Sequence, residues 1–476
     1  MKTFQDFQKA VAEGSVIDFI VKAINDHRSS NEYRIALDAD EYEAQRNVTI
    51  INWVKYLYRM DGTKAVDFTS ANNRLANNYF HRLNTQRREY SLGNGVSFTN
   101  KKDTVVKGVK TQVDVTKKFL GDDFDTALNT AAHYALIHGL SFLMWNLDHA
   151  VTFKFTEFVP LWDQEDGSLR AGIRFWSLDW ATRPVTAVLY EEDGYTKYRT
   201  KKDSKGLDLE LVEPKKAYRQ TYVVSEADGE ELIGEENYSA LPIAPLWGNK
   251  HHQSNLVGMR GKLDAFDLID SGFANDLQEC AEIYWLLENA LGETDESLTK
   301  FRDRLKLNHI AVIDGDNSKI TAHTQEIPTE GRKAFLEEIR KQIFEDFGAL
   351  DVHTVAAGDT NDHIDAAYQP MDEEADDFEY QVITCVRRLL RLNGINDTPI
   401  FKRNRISNTK EQTEMVMLAA NYLDDETVLK KLPFISVDEV QPILKKKEME
   451  DAKRIAREDK LLEKQNEQEE QEKPEV

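Results

Sequence analysis

Cysteine is scarce: Cys280 and Cys385 are the two in a chain of 476 residues. Both lie in stretches of helical spacing. Neither has another cysteine or a histidine at metal-ligand spacing, so the pattern argues against a disulfide scaffold or a zinc site and fits a reducing compartment. Long apolar runs are missing as well. None approaches the ~20 residues needed to span a bilayer, so no membrane partner is expected. The opening "MKTFQDFQKAVAEG" has no basic segment followed by an apolar one, so no secretory leader is expected either, and the chain should be soluble and cytosolic when made. Positive charge is in deficit: 61 Lys and Arg face 84 Asp and Glu, a net charge of −23. Broad electrostatic adhesion to DNA needs basic surface that displaces counterions, so tight non-specific gripping is excluded.

Several catalytic signatures are absent. "GMRGKLD" (258–264) pairs Gly with Lys, but Leu263 follows the lysine and the spacing is not that of a phosphate-binding loop, so the chain should not hydrolyse ATP. No serine sits in a Gly-x-Ser-x-Gly elbow. "DGDNSKITAHTQ" (314–325) lacks the sixth-position Gly and twelfth-position Glu of a calcium loop and reads as a hairpin turn. His251 and His252 are adjacent and cannot face one metal from one side of a helix, so they read as loop residues. No cofactor or metal is expected, and no catalytic residue.

What is present is 41% hydrophobic and 30% charged residues, enough for more than one core. Residues 1–60 read as helical, with Val16, Phe19, Ile20, Ala23 and Ile24 on one side. A helix over 68–92 would place Leu75, Tyr79, Leu83 and Tyr90 near one face and stop at Gly93. Another, over 122–138, carries Phe124, Leu128, Ala132, Ala135 and Leu136. The period then shortens. "SFLMWNL", "VTFKF", "AGIRFWS", "PVTAVLY", "YTKYRT", "LDLELV" and "AYRQTYVV" mark a β-rich unit over 140–240, with a hairpin signal at Asp193-Gly194.

A proline-punctuated connection (241–252) leads to a helix over 256–285, with Met259, Leu263, Phe266, Phe273, Leu277 and Cys280 at three- and four-residue steps. A short excursion follows, with a helix near Leu298–Leu305 and strands at 309–314 and 319–327 joined by "GDNS". A second helix, 330–348, would turn Phe335, Leu336, Ile339, Ile343 and Phe347 inward. Residues 349–366 read as a loop, and a long helix over 367–393 has Pro370 in its first turn. Residues 407–460 are helical with a break at 432–434, and the charged end beyond Lys445 should be solvated and frayed. The fold class is α+β.

Two stretches bear on function. "ANNRLANNYFHRLNTQRREYSLGNGVSF" (71–98) holds Arg74, Arg82, Arg87 and Arg88 without a continuous basic stripe. Its asparagines favour packing against another part of the chain or another subunit over reading nucleic acid. From Gln342 to Val386 there is no Lys or Arg but there are twelve acids, among them Asp372 and Asp376. Such carboxylates could hold two metal ions in a nuclease. They could equally form a solvated acidic face, or a surface past which a polyanion slides without sticking.

The order of these pieces resembles the portal proteins of tailed bacteriophages, in the SPP1-like branch, over nearly the whole chain. The residues that carry the resemblance are the Asn-rich 71–98 stretch, "AAHYALIHGLSFLMW", "LPIAPLWGNKHHQSNLVGMRGKLDAFDLIDSGFANDLQE", and "LDDETVLKKLPF", with a helix–tip–helix between the last two. It implies a ring, twelve subunits in the virion, at one capsid vertex, built in the host cytoplasm and acting as the channel for packaging and ejecting double-stranded DNA without sequence specificity.

By the same resemblance, residues 1–255 look like the wing, 256–285 and 330–348 like the stem helices, and 286–329 like the clip. Residues 349–366 look like the tunnel loop, 367–398 like the helix behind it, and 399–476 like the crown and tail. The clip would dock the terminase large subunit and then a head-completion or adaptor protein, with Glu293, Asp295, Glu296, Arg302, Arg304, Asp314, Asp316 and Lys319 as docking candidates. The tunnel loop would present Val355, Asp359, Thr360, Asn361, Asp362, His363 and Asp365 to the channel. Major capsid and scaffolding proteins would be further partners. One departure stands out: "TNDHIDAAYQPMDEEADD" replaces the lysine-bearing stretch many relatives have after the tunnel loop. A ring repeating Asp359, Asp362 and Asp365 would form a negative collar that keeps the duplex centred, since DNA carries one charge per ~1.7 Å of axis. The remaining alternative is a non-enzymatic helical scaffold or adaptor without a channel.

Overall fold

A computed structural model describes residues 2–58, 62–68, 70–106, 109–177, 185–201, 207–225, 229–279, 284–288, 319–323, 329–352, 361–405, 409–435 and 437–471. The helix expected near Leu298–Leu305 and the strand at 309–314 lie outside them. The fold mixes helix and sheet, an α+β protein. Two units separate by internal contacts: Met1–Ala349 with Pro370–Asn404, and Leu350–Gln369 with Arg405–Val476.

Among the described residues the first unit has three cores. A five-stranded antiparallel sheet runs in the order Leu209–Lys216, Gly194–Thr200, Val185–Glu191, Leu169–Ser177, Phe158–Trp162. Successive strand residues point to opposite faces, and both faces of this sheet are covered. Ala187 and Leu189 meet helices Phe4–Ala12 and Val16–Arg28, whose Phe7, Phe19, Ile20 and Ile24 are buried there. Val188 and Tyr190, one residue out of step, belong to a second core with Phe153 and Phe158. Glu191 pairs with Gly194 across the expected hairpin.

That second core is built on helix Phe124–His138 and a three-stranded sheet, Ile243–Trp247, Leu140–Asn146, His149–Lys154. Phe124, Leu128, Ala132, Ala135 and Leu136 are all buried, as their spacing predicts. Gly139 ends the helix in the left-handed region at φ 89°, and a Cβ there would lie 2.5 Å from the Gln253 carbonyl carbon. Only glycine meets both demands. The C-terminal half of helix Asn361–Leu392 closes the same core with Phe378, Val382, Cys385, Val386, Leu389 and Leu390.

The third core lies between helices Leu256–Glu279 and Thr329–Phe347, which pack on each other and on Tyr42, Phe80 and Leu83. The inward stripes are shorter than their spacing suggests. Met259, Leu263, Ile339, Ile343 and Phe347 are buried, but Leu277 and Phe335 are exposed. The first helix is described to Glu279 and does not reach 285, because Tyr284–Glu288 is a strand. That strand pairs with Lys319–His323 among the described residues.

Three further departures concern where elements begin and end. Tyr56–Tyr58 is a strand paired with Lys64–Val66, where residues 1–60 read as helical throughout. Residues 71–78 are neither helix nor strand, and the helix begins at Tyr79. The long helix begins at Asn361, so 361–366 are helical and Pro370 lies well inside the helix rather than in its first turn. Pro370 has no N–H to donate one turn back, and the division between the two units falls at Gln369 and Pro370.

The second unit is helical. Thr409–Ala419, Asp425–Lys431 and Val437–Gln471 follow one another, with the expected break around 432–434. Asp424 caps the middle helix, accepting from the Thr427 N–H at 3.1 Å and its hydroxyl at 2.7 Å. Val440 is buried, and Lys447 donates to Asp425 at 2.7 Å. The charged end is helical to Gln471 instead of frayed from Lys445.

Candidate functional site

The arginines of the Asn-rich stretch are turned into the protein. Arg74 donates to the Ile51 carbonyl at 2.7 Å. Arg87 is 7% exposed, stacks over the Phe347 ring at 4.2 Å, donates to the Phe347 carbonyl and pairs with Glu374 at 3.1 Å. Burial pushes its pKa down from the ordinary guanidinium range. Arg88 meets Glu89 at 3.0 Å and His133 at 3.1 Å. Arg82 is exposed. Four arginines of which three hold protein groups do not make a nucleic-acid surface.

The asparagines have a geometric task. The Asn73 N–H donates to Asn275 Oδ1 at 2.6 Å, the Leu75 N–H to Ser271 Oγ at 2.9 Å, and the Asn77 N–H to Asp267 Oδ1 at 2.7 Å. Every second residue of the segment meets every fourth residue of the helix. Eight helical residues rise ~12 Å, and four residues reach that far only when nearly extended. Helix and segment therefore match in step and run antiparallel. The part-buried N–H groups of this segment, which has no strand partner among the described residues, are satisfied by side chains. Asp267 also accepts from Asn47 Nδ2 at 2.5 Å and from Asn77 Nδ2 at 2.6 Å. Burial nevertheless pushes its carboxyl up to about 6, against those hydrogen bonds.

The acid-rich helix is largely spoken for by cations from elsewhere in the first unit. Arg403 donates from Nε and one terminal nitrogen to the two oxygens of Glu379 at 3.0 and 2.9 Å. It also donates to Asp372 at 2.9 Å and to Asp376. The Tyr90 hydroxyl adds a bond to Asp372 at 2.7 Å. The bonds to Glu379, opposed by burial, raise the Arg403 pKa above its ordinary range. Lys262 pairs with Asp346, and Asp377 accepts from the Lys250 N–H at 2.8 Å. Among the described residues no three His, Cys, Asp or Glu side chains are placed to hold a metal ion. The carboxylates act as acceptors in an ion-pair network that fastens this helix to the 402–404 segment and to Arg87.

The expected channel residues divide. Val355, Asp359 and Thr360 lie outside the described residues, as does the Asn361 side chain. Asp362, His363 and Asp365 stand exposed in the first turns of the long helix, and Asp365 accepts from Arg405 at 3.1 Å within the second unit. Of the docking candidates, Glu293, Asp295, Glu296, Arg302, Arg304, Asp314 and Asp316 lie outside the described residues. Lys319 is seen as backbone only, paired with Glu288. Sequence reasoning missed Arg403 and Arg87 as the counter-charges of the acids. The signal was the absence of Lys and Arg from 342–386, which obliges the neutralising cations to come from distant segments.

The family model for the phage portal protein, SPP1 Gp6-like, matches residues 21–460. The chain belongs to that family. It is a bacteriophage portal protein, a structural component of the capsid vertex. The portal protein of Clostridium phage phiCD119 is 27% identical over 222 residues, which are 44% of this chain and 49% of the relative. The portal protein of Bacillus phage SPP1 is 23% identical over 411 residues, 79% of this chain and 76% of the relative. The portal family implies an oligomeric ring associated with the capsid. No helix among the described residues is long and apolar enough to cross a membrane.

Proposed function

We propose that copies of this chain close into a ring at one capsid vertex, twelve in the virion, whose channel passes double-stranded DNA inward during packaging and outward at ejection. The observation that carries this reading is the helix pair Leu256–Glu279 and Thr329–Phe347. It buries one apolar face within the chain and leaves Val257, Leu268, Leu277 and Phe335 exposed. A heterologous contact repeated around an axis covers such faces and closes the assembly. In this reading the pair is the stem, residues 286–329 are the clip that docks the terminase large subunit and then a head-completion protein, and 399–476 are the crown. Capsid and scaffolding proteins surround the wing, residues 1–255.

The acids fit a conduit that does not catalyse. Those of the long helix that Arg87 and Arg403 bind are internal fasteners. Asp359, Asp362 and Asp365, the last offset in part by Arg405, would repeat around the channel as a negative collar, which repels the duplex from all sides and prevents ionic sticking. Mass photometry of the purified chain tests the assembly. A discrete species at a fixed high multiple of the 54.7 kDa chain mass is expected. Monomers or dimers at all concentrations would overturn the reading.

A further inference from the structure

Among the described residues, nothing covers either face of the hairpin formed by Tyr56–Tyr58 and Lys64–Val66. Trp53, Tyr56, Leu57, Val66 and Phe68 are each more than 40% exposed, and Tyr58 is 77% exposed. The pairing is Tyr56 with Val66, Leu57 with Ala65 and Tyr58 with Lys64, and neither strand has another partner among the described residues. A lone two-stranded hairpin is marginally stable at best in water, and its two open edges invite association. Exposed apolar surface this concentrated marks a contact site.

We infer that this hairpin is a subunit contact: in the ring it packs against a different face of the neighbouring copy. The inference rests on the ring reading above and adds to it a named surface. Two observations select a second copy as the occupant. First, the patch continues onto the stem-like helix, because Trp53 and Leu268 line one small apolar pocket with Thr49, Ile50, Asp264 and Ala265. Leu268 belongs to the helix face that the chain itself leaves exposed. Second, the described lysines of the hairpin are not aimed outward at a polyanion. Lys55 donates to the Ala71 carbonyl at 2.5 Å, and Lys64 sits over the Tyr56 ring at 4.6 Å. What the hairpin presents is aromatic and aliphatic, the composition of an interface centre.

The test replaces Tyr58 by the photoreactive p-benzoylphenylalanine in the full chain and irradiates isolated rings. The expected product is a covalent pair of chains, with the crosslink mapping to a segment other than the hairpin, as a heterologous contact requires. In parallel, Leu57→Asp with Tyr58→Asp should lower the ring fraction at least tenfold while the circular dichroism of the chain is unchanged. Rings without an intermolecular crosslink from position 58 overturn the hairpin contact and leave the ring standing. So do crosslinks that reach only capsid protein in assembled particles. Absence of rings in the unsubstituted protein overturns both readings.

Discussion

Asn77 gives both its backbone N–H and its side-chain amide to one oxygen of Asp267, at 2.7 and 2.6 Å. The two residues are 190 positions apart, and Asp267 is 1% exposed. The pair is the lowest rung of the ladder that lays residues 73–77 along the Leu256–Glu279 helix. Asp267→Ala would strand several buried donors, each costing about 1–3 kcal/mol. A loss of roughly 3 kcal/mol is expected, read from urea unfolding.

The same carboxyl sets a pH dependence. Its folded pKa of about 6 lies above the ordinary Asp value of 3.8 because burial disfavours the charge. The folded state then binds more protons than the unfolded state across that interval, so its contribution to stability falls as pH rises from about 4 to about 6. Unfolding curves for the native chain and for Asp267→Asn should differ in slope over this window and run parallel above it.

Asp397 has the opposite sign. It is 6% exposed and accepts from the Thr116 hydroxyl at 2.6 Å, the Thr398 N–H at 2.8 Å, the Asn100 N–H at 3.2 Å, and both the backbone and the hydroxyl of Thr99. Burial alone would raise its pKa, but these bonds outweigh it and bring the carboxyl down to about 2. The stabilisation is complete above the unfolded pKa near 4 and is lost as pH falls towards 2. Asp397→Asn should cost on the order of 2 kcal/mol at neutral pH and flatten the acid limb of the stability curve.

Arg403→Ala should cost about 2–4 kcal/mol, since it leaves Glu379 and Asp372 half-buried without their counter-charge. Arg403→Lys should recover only part, because an ammonium cannot make the two-pronged bond to Glu379. Thermal melts of the three proteins give the order. If instead the acids were a nuclease centre, Mg²⁺ or Mn²⁺ would support DNA cleavage that Asp372→Ala abolishes. No cleavage by the native chain is expected.

Gly139→Ala should be among the more damaging single-methyl additions. Position 139 has φ 89°, and the new carbon would meet the 253–254 backbone, which cannot retreat like a flexible side chain. A cost of about 2 kcal/mol or more is expected, measured by the shift in denaturation midpoint.

Much of the fold was legible because its elements carry their own pattern. Phe124 to Leu136 repeats at helical spacing, and the 169–200 strands alternate and turn at Asp193-Gly194. The failures came where the partner lies far along the chain. Residues 71–78 looked like the start of a helix, yet their N–H groups are taken by Asn275, Ser271 and Asp267, which no local window contains. Pro370 looked like a first-turn proline, but the helix extends nine residues before it. The acid run from Gln342 to Val386 was plain, whereas its fastening by Arg403 and Arg87 was not, because both cations come from outside it. Leu277 and Phe335 read as inward by spacing, and their exposure in one chain is what a ring of chains would explain.

Electron microscopy of the purified protein viewed end-on would decide whether its copies form a ring with a channel. Two-dimensional classes of one fixed rotational symmetry around a central hole wide enough for a DNA duplex are expected. Particles of one or two chains at high concentration, or closed assemblies without a hole, would contradict the ring.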